Sequence, residues 1–152
     1  MQGKTLILRH VRENLKKCSL RGLESRSDIL FFTYPKDTLP CLDNYLLLTV
    51  DAPPLTLADG DKGLFFIDAT WNLALKIEKA VDRMGTVEKR SLPPYFRTAY
   101  PRKQTGCPDP ERGLATLEAL YLAYRITNRP LEGLLDRYYW KEAFLDKLSL
   151  IV

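Results

Sequence analysis

The residues best suited to chemistry follow an apolar run, where Asp68 and Trp71 come directly after GLFFI. A carboxylate at a strand end can accept a charge-assisted hydrogen bond from a cation, and a tryptophan face can lie against one. Because ligands of open α/β sheets bind where buried strands end, this turn predicts a binding site. Both residues also have structural explanations, since Asp68 could stabilise a helix start and Trp71 could belong to the core.

Basic and aromatic residues alternate in the segment YFRTAYPRK at 95–103. This mixture suits contacts with phosphates together with stacking on bases. A solvated loop whose tyrosines turn inward explains the segment equally well. Positive residues also cluster in RHVRENLKK at 9–17, with Arg21 close behind, and in EKR at 88–90. The formal charge of +4 favours an anionic partner.

Histidine and cysteine are too few and too scattered to indicate a metal site. The chain has one histidine, His10, and three cysteines, Cys18, Cys41 and Cys107, with no CxxC pair. We expect neither zinc nor a disulfide framework, and a reducing compartment fits best. No apolar stretch approaches the length of a membrane span or a signal-peptide core. The expected location is therefore the cytoplasm, with no membrane association.

Four short apolar runs, each bounded by turn-forming residues, predict the strands that position these residues. Such runs are typical of strands buried on both faces of a parallel sheet. After the fourth run, apolar residues recur at helical spacing up to Met84, and Thr70 is a credible N-cap. The runs are TLIL at 5–8, DILFFT at 28–33, YLLLTV at 45–50 and GLFFID at 63–68.

From about residue 95 the pattern changes to a loop rich in proline, glycine and charge, followed by helical patterns without further strand signals. We therefore expect an α/β lobe over residues 1–95 and an all-helical lobe over residues 96–152. The predicted helices are DPERGLATLEALYLAYRI at 109–126, PLEGLLDRYYW at 130–140 and KEAFLDKL at 141–148.

Four strings resemble, in order and spacing, the motifs of the ribosome-biogenesis aminocarboxypropyltransferases that modify small-subunit rRNA. The strings are FIDATW at 66–71, PPYFRTAYP at 93–101, GLATLEAL at 113–120 and LLDRYYWKEAFL at 134–145. The DTW-domain transferases, which place the same group on tRNA uridines, also carry an aspartate-x-tryptophan element and a T-L-E-A helix start. The resemblance covers residues 45–148, and NLKKCSLRGLE at 14–24 resembles the ribosomal family more loosely.

The resemblance implies a mostly parallel, SPOUT-like α/β sheet whose C-terminal part is threaded as a trefoil knot. It implies S-adenosylmethionine (SAM) as the cofactor, and transfer of its aminocarboxypropyl group to N3 of a uridine-type base in structured RNA. Small-subunit rRNA is the favoured substrate and tRNA the other. The implied protein is a monomer that could act on a pre-ribosomal particle, and it needs no metal.

The resemblance also suggests roles for individual residues. Asp68 would contact the α-amino group of SAM and is the one candidate for a general base. Trp71 would lie against the sulfonium chain, and Leu92 would contact the adenine and ribose. Ser19 and Thr116 would lie beside the amino acid end of SAM, although both could equally cap helices. The expected RNA-binding residues are Lys16, Lys17, Arg21, Arg97, Arg102 and Lys103.

The sequence departs from the family on the RNA side of the implied pocket. Tyr100 replaces an asparagine, RKQTG at 102–106 replaces V-N-Y-G, and an aromatic residue expected near Arg112 is missing. The acceptor nucleotide, and rRNA against tRNA, therefore stay open. Two other functions also stay open: a SPOUT-class RNA methyltransferase that presents the methyl of the same cofactor, and a non-catalytic assembly factor that binds RNA through residues 95–105.

Overall fold

The computed structural model describes residues 3–10, 23, 26–49, 52–69, 71–92, 116–136 and 141–149, without the side chains of Trp71 and of residues 147–149. The strands are β1 (Thr5–His10), β2 (Ile29–Tyr34), β3 (Tyr45–Leu48), β4 (Gly63–Asp68) and β5 (Glu88–Arg90). The helices are α1 (Trp71–Met84), α2 (Thr116–Ile126) and α3 (Lys141–Ser149), with a short 3₁₀ helix at Leu57–Asp61. The strands form one sheet in the order β2-β1-β4-β3-β5, and every pairing in it is parallel.

Side chains that alternate along the central strands build a core layer on each face of the sheet. Because both faces are covered, strand sequences such as TLIL are continuously apolar, which confirms the prediction of a buried parallel sheet. One layer, beneath α1, contains Leu6, Leu8, Leu47, Phe65, Ile77 and Val81. The other contains Ile7, Leu46, Leu64 and Phe66 of the sheet, Leu117, Leu120 and Tyr124 of α2, and Phe144 of α3.

The second layer joins the sheet and the C-terminal helices in one hydrophobic cluster. The helices therefore cover a sheet face whose apolar residues would otherwise meet water. The division into lobes at residue 95 stays a prediction, as do the likeness to SPOUT proteins and the trefoil knot. Residues 93–115, which connect β5 to α2, lie outside the described part of the chain.

Helix α2 ends at Ile126, as the sequence predicts, in a hydrogen-bonded turn. Asn128 takes a left-handed backbone conformation with φ 57°. Its amide donates to the carbonyl of Arg125 at 3.3 Å, and the amide of Arg129 donates to the carbonyl of Tyr124 at 2.8 Å. This pair of bonds is the Schellman pattern, which satisfies carbonyls that the helix itself leaves without partners.

The helix predicted over residues 130–140 is wrong in its described part. Residues 132–136 form successive turns, and Gly133 has φ 79°. Glycine reaches that left-handed conformation without steric cost, so the segment turns where a helix would need a negative φ. The next predicted helix, at 141–148, is confirmed as α3.

Strand β5 has no counterpart among the strands that the sequence predicts. Its residues EKR carry no apolar side chain, and it is held by parallel pairing with β3. The Lys89 ammonium lies 2.9 Å from Glu78 and 3.0 Å from Asp82. Burial disfavours this charge, but the two hydrogen bonds outweigh that cost and raise the pKa of Lys89. The positive cluster at 88–90 is thus an ion-paired edge strand.

A buried arginine joins the amino ends of β1 and β4. Nη1 of Arg129 donates to the carbonyl of Gly3 at 2.6 Å, and Nη2 donates to the carbonyl of Lys62. Burial disfavours the charged guanidinium and lowers the pKa of Arg129. Because Gly3 lies two residues before β1 and Lys62 immediately before β4, one planar guanidinium holds together the segments where both strands begin.

The neighbouring Tyr124 connects α2 to the same end of the sheet. Its hydroxyl lies 2.7 Å from Oγ1 of Thr5 and donates to Oδ2 of Asp28 at 3.1 Å. Two hydrogen bonds from Arg26, at 2.9 and 3.0 Å, hold the Asp28 carboxylate and lower its pKa. Burial raises the pKa of Tyr124 to about 12. The network therefore satisfies polar groups beneath α2 that would otherwise destabilise the fold.

We predict that Tyr124→Phe lowers the free energy of unfolding by about 1–3 kcal/mol, because it leaves the buried Thr5 hydroxyl without this partner. Urea unfolding measures the change. The matched control is Tyr121→Phe, three residues earlier on the same helix, which keeps the edge-to-face ring contact with Phe144 at 5.7 Å. A loss in Tyr121→Phe as large as in Tyr124→Phe would contradict this account.

The raised pKa of Tyr124 also predicts a pH dependence. The folded state binds the phenol proton more tightly than the unfolded chain, whose tyrosine has a pKa of about 10. The resulting stabilisation is fully present below pH about 10 and is lost as the pH rises toward about 12. The unfolding free energies of wild type and Tyr124→Phe should therefore converge as the pH rises from about 10 to about 12. A difference that stays constant over this range would show that folding does not change the pKa of the phenol.

Candidate functional site

The carboxyl ends of β1 and β4 lie side by side in the sheet. From β1 the chain continues to β2 on one side, and from β4 it passes through α1 to β5 on the other. Neighbouring strands whose connections leave in opposite directions open a crevice at their carboxyl edge, where ligands of open α/β sheets bind. The topology therefore places the candidate site between these two strand ends.

A buried charge pair lies at this point. Arg9 and Asp68 are register partners on β1 and β4, and Nε of Arg9 lies 3.5 Å from Oδ2 of Asp68. Their side chains are only 10% and 8% exposed. Both face α2, because Ile7 and Phe66, two residues earlier on each strand, belong to the core cluster around that helix. The crevice thus holds both signs of charge away from bulk water.

Two residues from other elements orient the pair. Oγ1 of Thr116, the first residue of α2, donates a hydrogen bond of 2.7 Å to Oδ1 of Asp68. The guanidinium carbon of Arg9 lies 4.7 Å from the ring centroid of Phe31 on β2, a cation–π distance. The carboxylate is therefore oriented by a hydroxyl and the guanidinium by an aromatic ring.

This arrangement can bind a ligand that carries opposite charges close together. A carboxylate oxygen can accept more than one hydrogen bond, and a guanidinium offers five N–H donors. Low exposure strengthens such contacts, because the surroundings screen charge less than water does. The site therefore suits a small group with a cationic donor beside an anionic acceptor.

The structure brings together two residues that the sequence assigns to one site, Asp68 and Thr116. Leu92 lies two residues beyond β5, is half-buried, and packs against the core cluster on the α2 side. Trp71 begins α1, three residues after Asp68. The other predicted site residues lie outside the described ranges: Ser19, Lys16, Lys17, Arg21, Arg97, Arg102 and Lys103. The ligand assigned to each of these residues stays a prediction.

Sequence reasoning missed Arg9, which it grouped with the basic segment at 9–17. That grouping is wrong for this residue, because Arg9 is 8% exposed and lies inside the crevice. The available signal is alternation along β1, since Arg9 follows Ile7 by two residues and must share its face. Its partner Asp68 could not be predicted from the local sequence, because the strand that lies next to β1 depends on the strand order.

Among the described residues, no group of three or more histidine, cysteine, aspartate or glutamate side chains could hold a metal ion. Within the same residues, no helix is both long and apolar enough to cross a bilayer.

The fold is similar to a solved structure, that of the SAM-dependent rRNA acp-transferase Tsr3 from Vulcanisaeta distributa, where acp denotes aminocarboxypropyl. The TM-score is 0.73 at 23% sequence identity, over 99% of this chain and 81% of the other. At that identity the likeness establishes a shared fold. No protein-family model and no curated protein matches the sequence.

The contact between Thr116 and Asp68 predicts a stability difference between two substitutions. Thr116→Val keeps the side-chain shape but removes the donor from a buried carboxylate, which should cost about 1–3 kcal/mol of unfolding free energy. Thr116→Ser keeps the hydroxyl and should cost less than about 1 kcal/mol. Urea unfolding measures both. Equal losses would mean that the hydroxyl contributes nothing beyond its packing.

Proposed function

We propose that this protein transfers the aminocarboxypropyl group of SAM to a base in structured RNA, with small-subunit rRNA as the favoured substrate. The observation that carries the proposal is the buried carboxylate of Asp68, held by Thr116 at the central crevice. Two further points support it. The fold is similar to that of a SAM-dependent rRNA acp-transferase, and four sequence strings resemble the motifs of that class of enzyme.

The residues at the crevice fit the amino acid end of SAM. Its α-ammonium group is a cationic donor, and a buried carboxylate such as Asp68 is the matching acceptor. Thr116 lies against the same carboxylate and can contribute its hydroxyl to this end of the ligand. Trp71, three residues along the chain, is proposed to lie against the sulfonium chain, Leu92 against the adenosine, and Ser19 beside the amino acid end.

The reaction that these contacts support is a substitution at the γ-carbon of the amino acid chain. Attack by N3 of a uridine-type base forms a nitrogen–carbon bond and breaks the carbon–sulfur bond, whose electron pair stays on sulfur. The N3 proton passes to Asp68 or to water, and methylthioadenosine leaves. Because SAM carries three carbons on its sulfur, the one presented to N3 decides the product. Holding the amino acid end at the strand termini is therefore the part of catalysis proposed for Asp68 and Thr116.

RNA binding is proposed for the basic residues that follow β1 and β5 in the sequence. Lysine and arginine contact phosphates, and interleaved tyrosines can stack on unpaired bases. The segment YFRTAYPRK at 95–103 combines both residue types. Lys16, Lys17 and Arg21 follow β1, which ends at the crevice. We propose further that the protein is a cytoplasmic monomer with a SPOUT-like trefoil knot, and that it acts on rRNA within a pre-ribosomal particle.

The test of this function is the chemistry of both products. Purified protein is incubated with SAM and, in separate reactions, with small-subunit rRNA and with tRNA from cells that lack the protein, and nucleosides and small molecules are analysed by mass spectrometry. Aminocarboxypropyl uridine together with methylthioadenosine is the expected result. A methylated base with S-adenosylhomocysteine would instead identify a methyltransferase. RNA binding without either coproduct would identify a non-catalytic assembly factor. Modification of tRNA alone would show that tRNA, and not rRNA, is the substrate.

The role of Asp68 predicts a loss of SAM affinity. Asp68→Asn should weaken SAM binding roughly tenfold to a hundredfold, because a hydrogen bond to a charged group contributes about 1.5–3 kcal/mol. Titration calorimetry measures the affinity, and thermal melting checks that the variant is folded. Asp43→Asn, at an exposed position between β2 and β3, is the matched control and should bind as wild type does. Unchanged SAM affinity in folded Asp68→Asn would show that Asp68 does not bind SAM.

A further inference from the structure

The buried position of Arg9 is energetically unfavourable for a charged side chain. Arg9 is 8% exposed near the end of β1, on a sheet face where Ile7 and Phe66 are buried in the apolar core. Burying an ion pair carries a desolvation penalty that the attraction between its charges often fails to offset. Apolar residues at such pairs are often at least as stabilising, so fold stability alone is a poor reason for this arginine.

The geometry of the Arg9–Asp68 pair differs from that of the structural pair at the other end of the sheet. Arg26 and Asp28 meet as two parallel hydrogen bonds of 2.9 and 3.0 Å, the fork geometry that binds guanidinium to carboxylate most tightly. Nε of Arg9 lies 3.5 Å from Oδ2 of Asp68, beyond that range. The contact between Arg9 and Asp68 is thus longer than the two hydrogen bonds of the Arg26–Asp28 fork.

The pair is complementary to an α-amino acid. Such a group carries an ammonium and a carboxylate on the same carbon, and the ends of β1 and β4 present a guanidinium and a carboxylate side by side. The fork of arginine matches a carboxylate in two hydrogen bonds, which a lysine cannot do. The Phe31 ring, 4.7 Å from the guanidinium carbon, holds the charged group by a cation–π contact.

We propose that Arg9 binds the α-carboxylate of SAM while Asp68 binds the α-ammonium, and that Arg9 thereby selects SAM over forms that lack the carboxylate. This inference rests on the proposed function and adds a specificity-determining residue to it. Two-point attachment fixes the α-carbon, and with it the direction of the chain that ends at the reacting γ-carbon. Decarboxylated SAM, which would donate an aminopropyl group, loses one of the two points.

The experiment removes the guanidinium charge of Arg9 from the protein and, separately, the α-carboxylate charge from the ligand. Titration calorimetry is run with SAM, decarboxylated SAM and methylthioadenosine, which lacks the whole amino acid chain, on wild type and Arg9→Gln. Wild type should bind decarboxylated SAM at least about tenfold more weakly than SAM. In Arg9→Gln this ratio should fall to about threefold or less, while methylthioadenosine affinity changes by less than about threefold. Arg83→Gln, exposed on α1, is the matched control and should keep the wild-type ratio.

A second substitution tests the contact with the ammonium separately from the contact with the carboxylate. Asp68→Asn should weaken SAM and decarboxylated SAM by the same factor, because both ligands keep the ammonium. If Arg9→Gln does not fold, as judged by thermal melting, Arg9→Lys replaces it. Loss of the planar fork in that variant should reduce the ratio at least about threefold.

The outcomes distinguish this inference from the function on which it rests. Wild type that binds SAM but does not discriminate against decarboxylated SAM overturns the role of Arg9 and leaves the transferase proposal intact. A ratio that stays at the wild-type value in the folded Arg9 variant does the same. Wild type that binds neither SAM nor methylthioadenosine overturns the proposed function itself.

Discussion

The parallel pairing of β1 with β4 is the constraint on which the rest of the structure depends. It joins residues that are far apart in sequence and sets Arg9 opposite Asp68. A slip of one residue would turn one of the two charges to the other face of the sheet, because side chains alternate with a period of two. The register is fixed at the opposite end, where Arg129 donates to the carbonyls of Gly3 and Lys62. A buried cation at the amino ends thus determines the geometry at the carboxyl ends.

The two ends of the sheet use buried charge in different ways. At the amino ends, Arg26 binds Asp28 in a fork and Tyr124 adds a hydrogen bond to the same carboxylate. Such a network stabilises one arrangement of the backbone. At the carboxyl ends, Arg9 and Asp68 are more deeply buried than Arg26 and Asp28 but make a longer contact. Natural proteins break local rules of packing mainly where they bind or react, and the proposed role of the second pair agrees with that tendency.

The sequence predicts the elements that bury their own apolar residues, and it fails where tertiary contacts decide. Strands β1 to β4 are recognisable because each is a continuous apolar run. Strand β5 consists of charged residues that pair with β3 and with acidic side chains from other elements, so no local pattern indicates it. The helix predicted at 130–140 fails at Gly133, whose positive φ outweighs the apolar spacing around it. Asp68 lies in a motif that the sequence itself shows. Its pairing with Arg9 was not predicted, because that pairing arises only from the strand order.

Strand order also explains why the proposed chemistry needs so few residues. Carboxyl ends of parallel strands are held by backbone hydrogen bonds, so groups attached there are positioned more rigidly than groups on loops. If the amino acid end of SAM is held at two such points, the sulfonium and the γ-carbon are placed by the length of a short chain. The protein then needs to bring only the RNA base to a carbon whose place is already set. Selection of the γ-carbon over the methyl would follow from which end of the ligand the rigid strands hold, because the held end turns its own chain toward the acceptor.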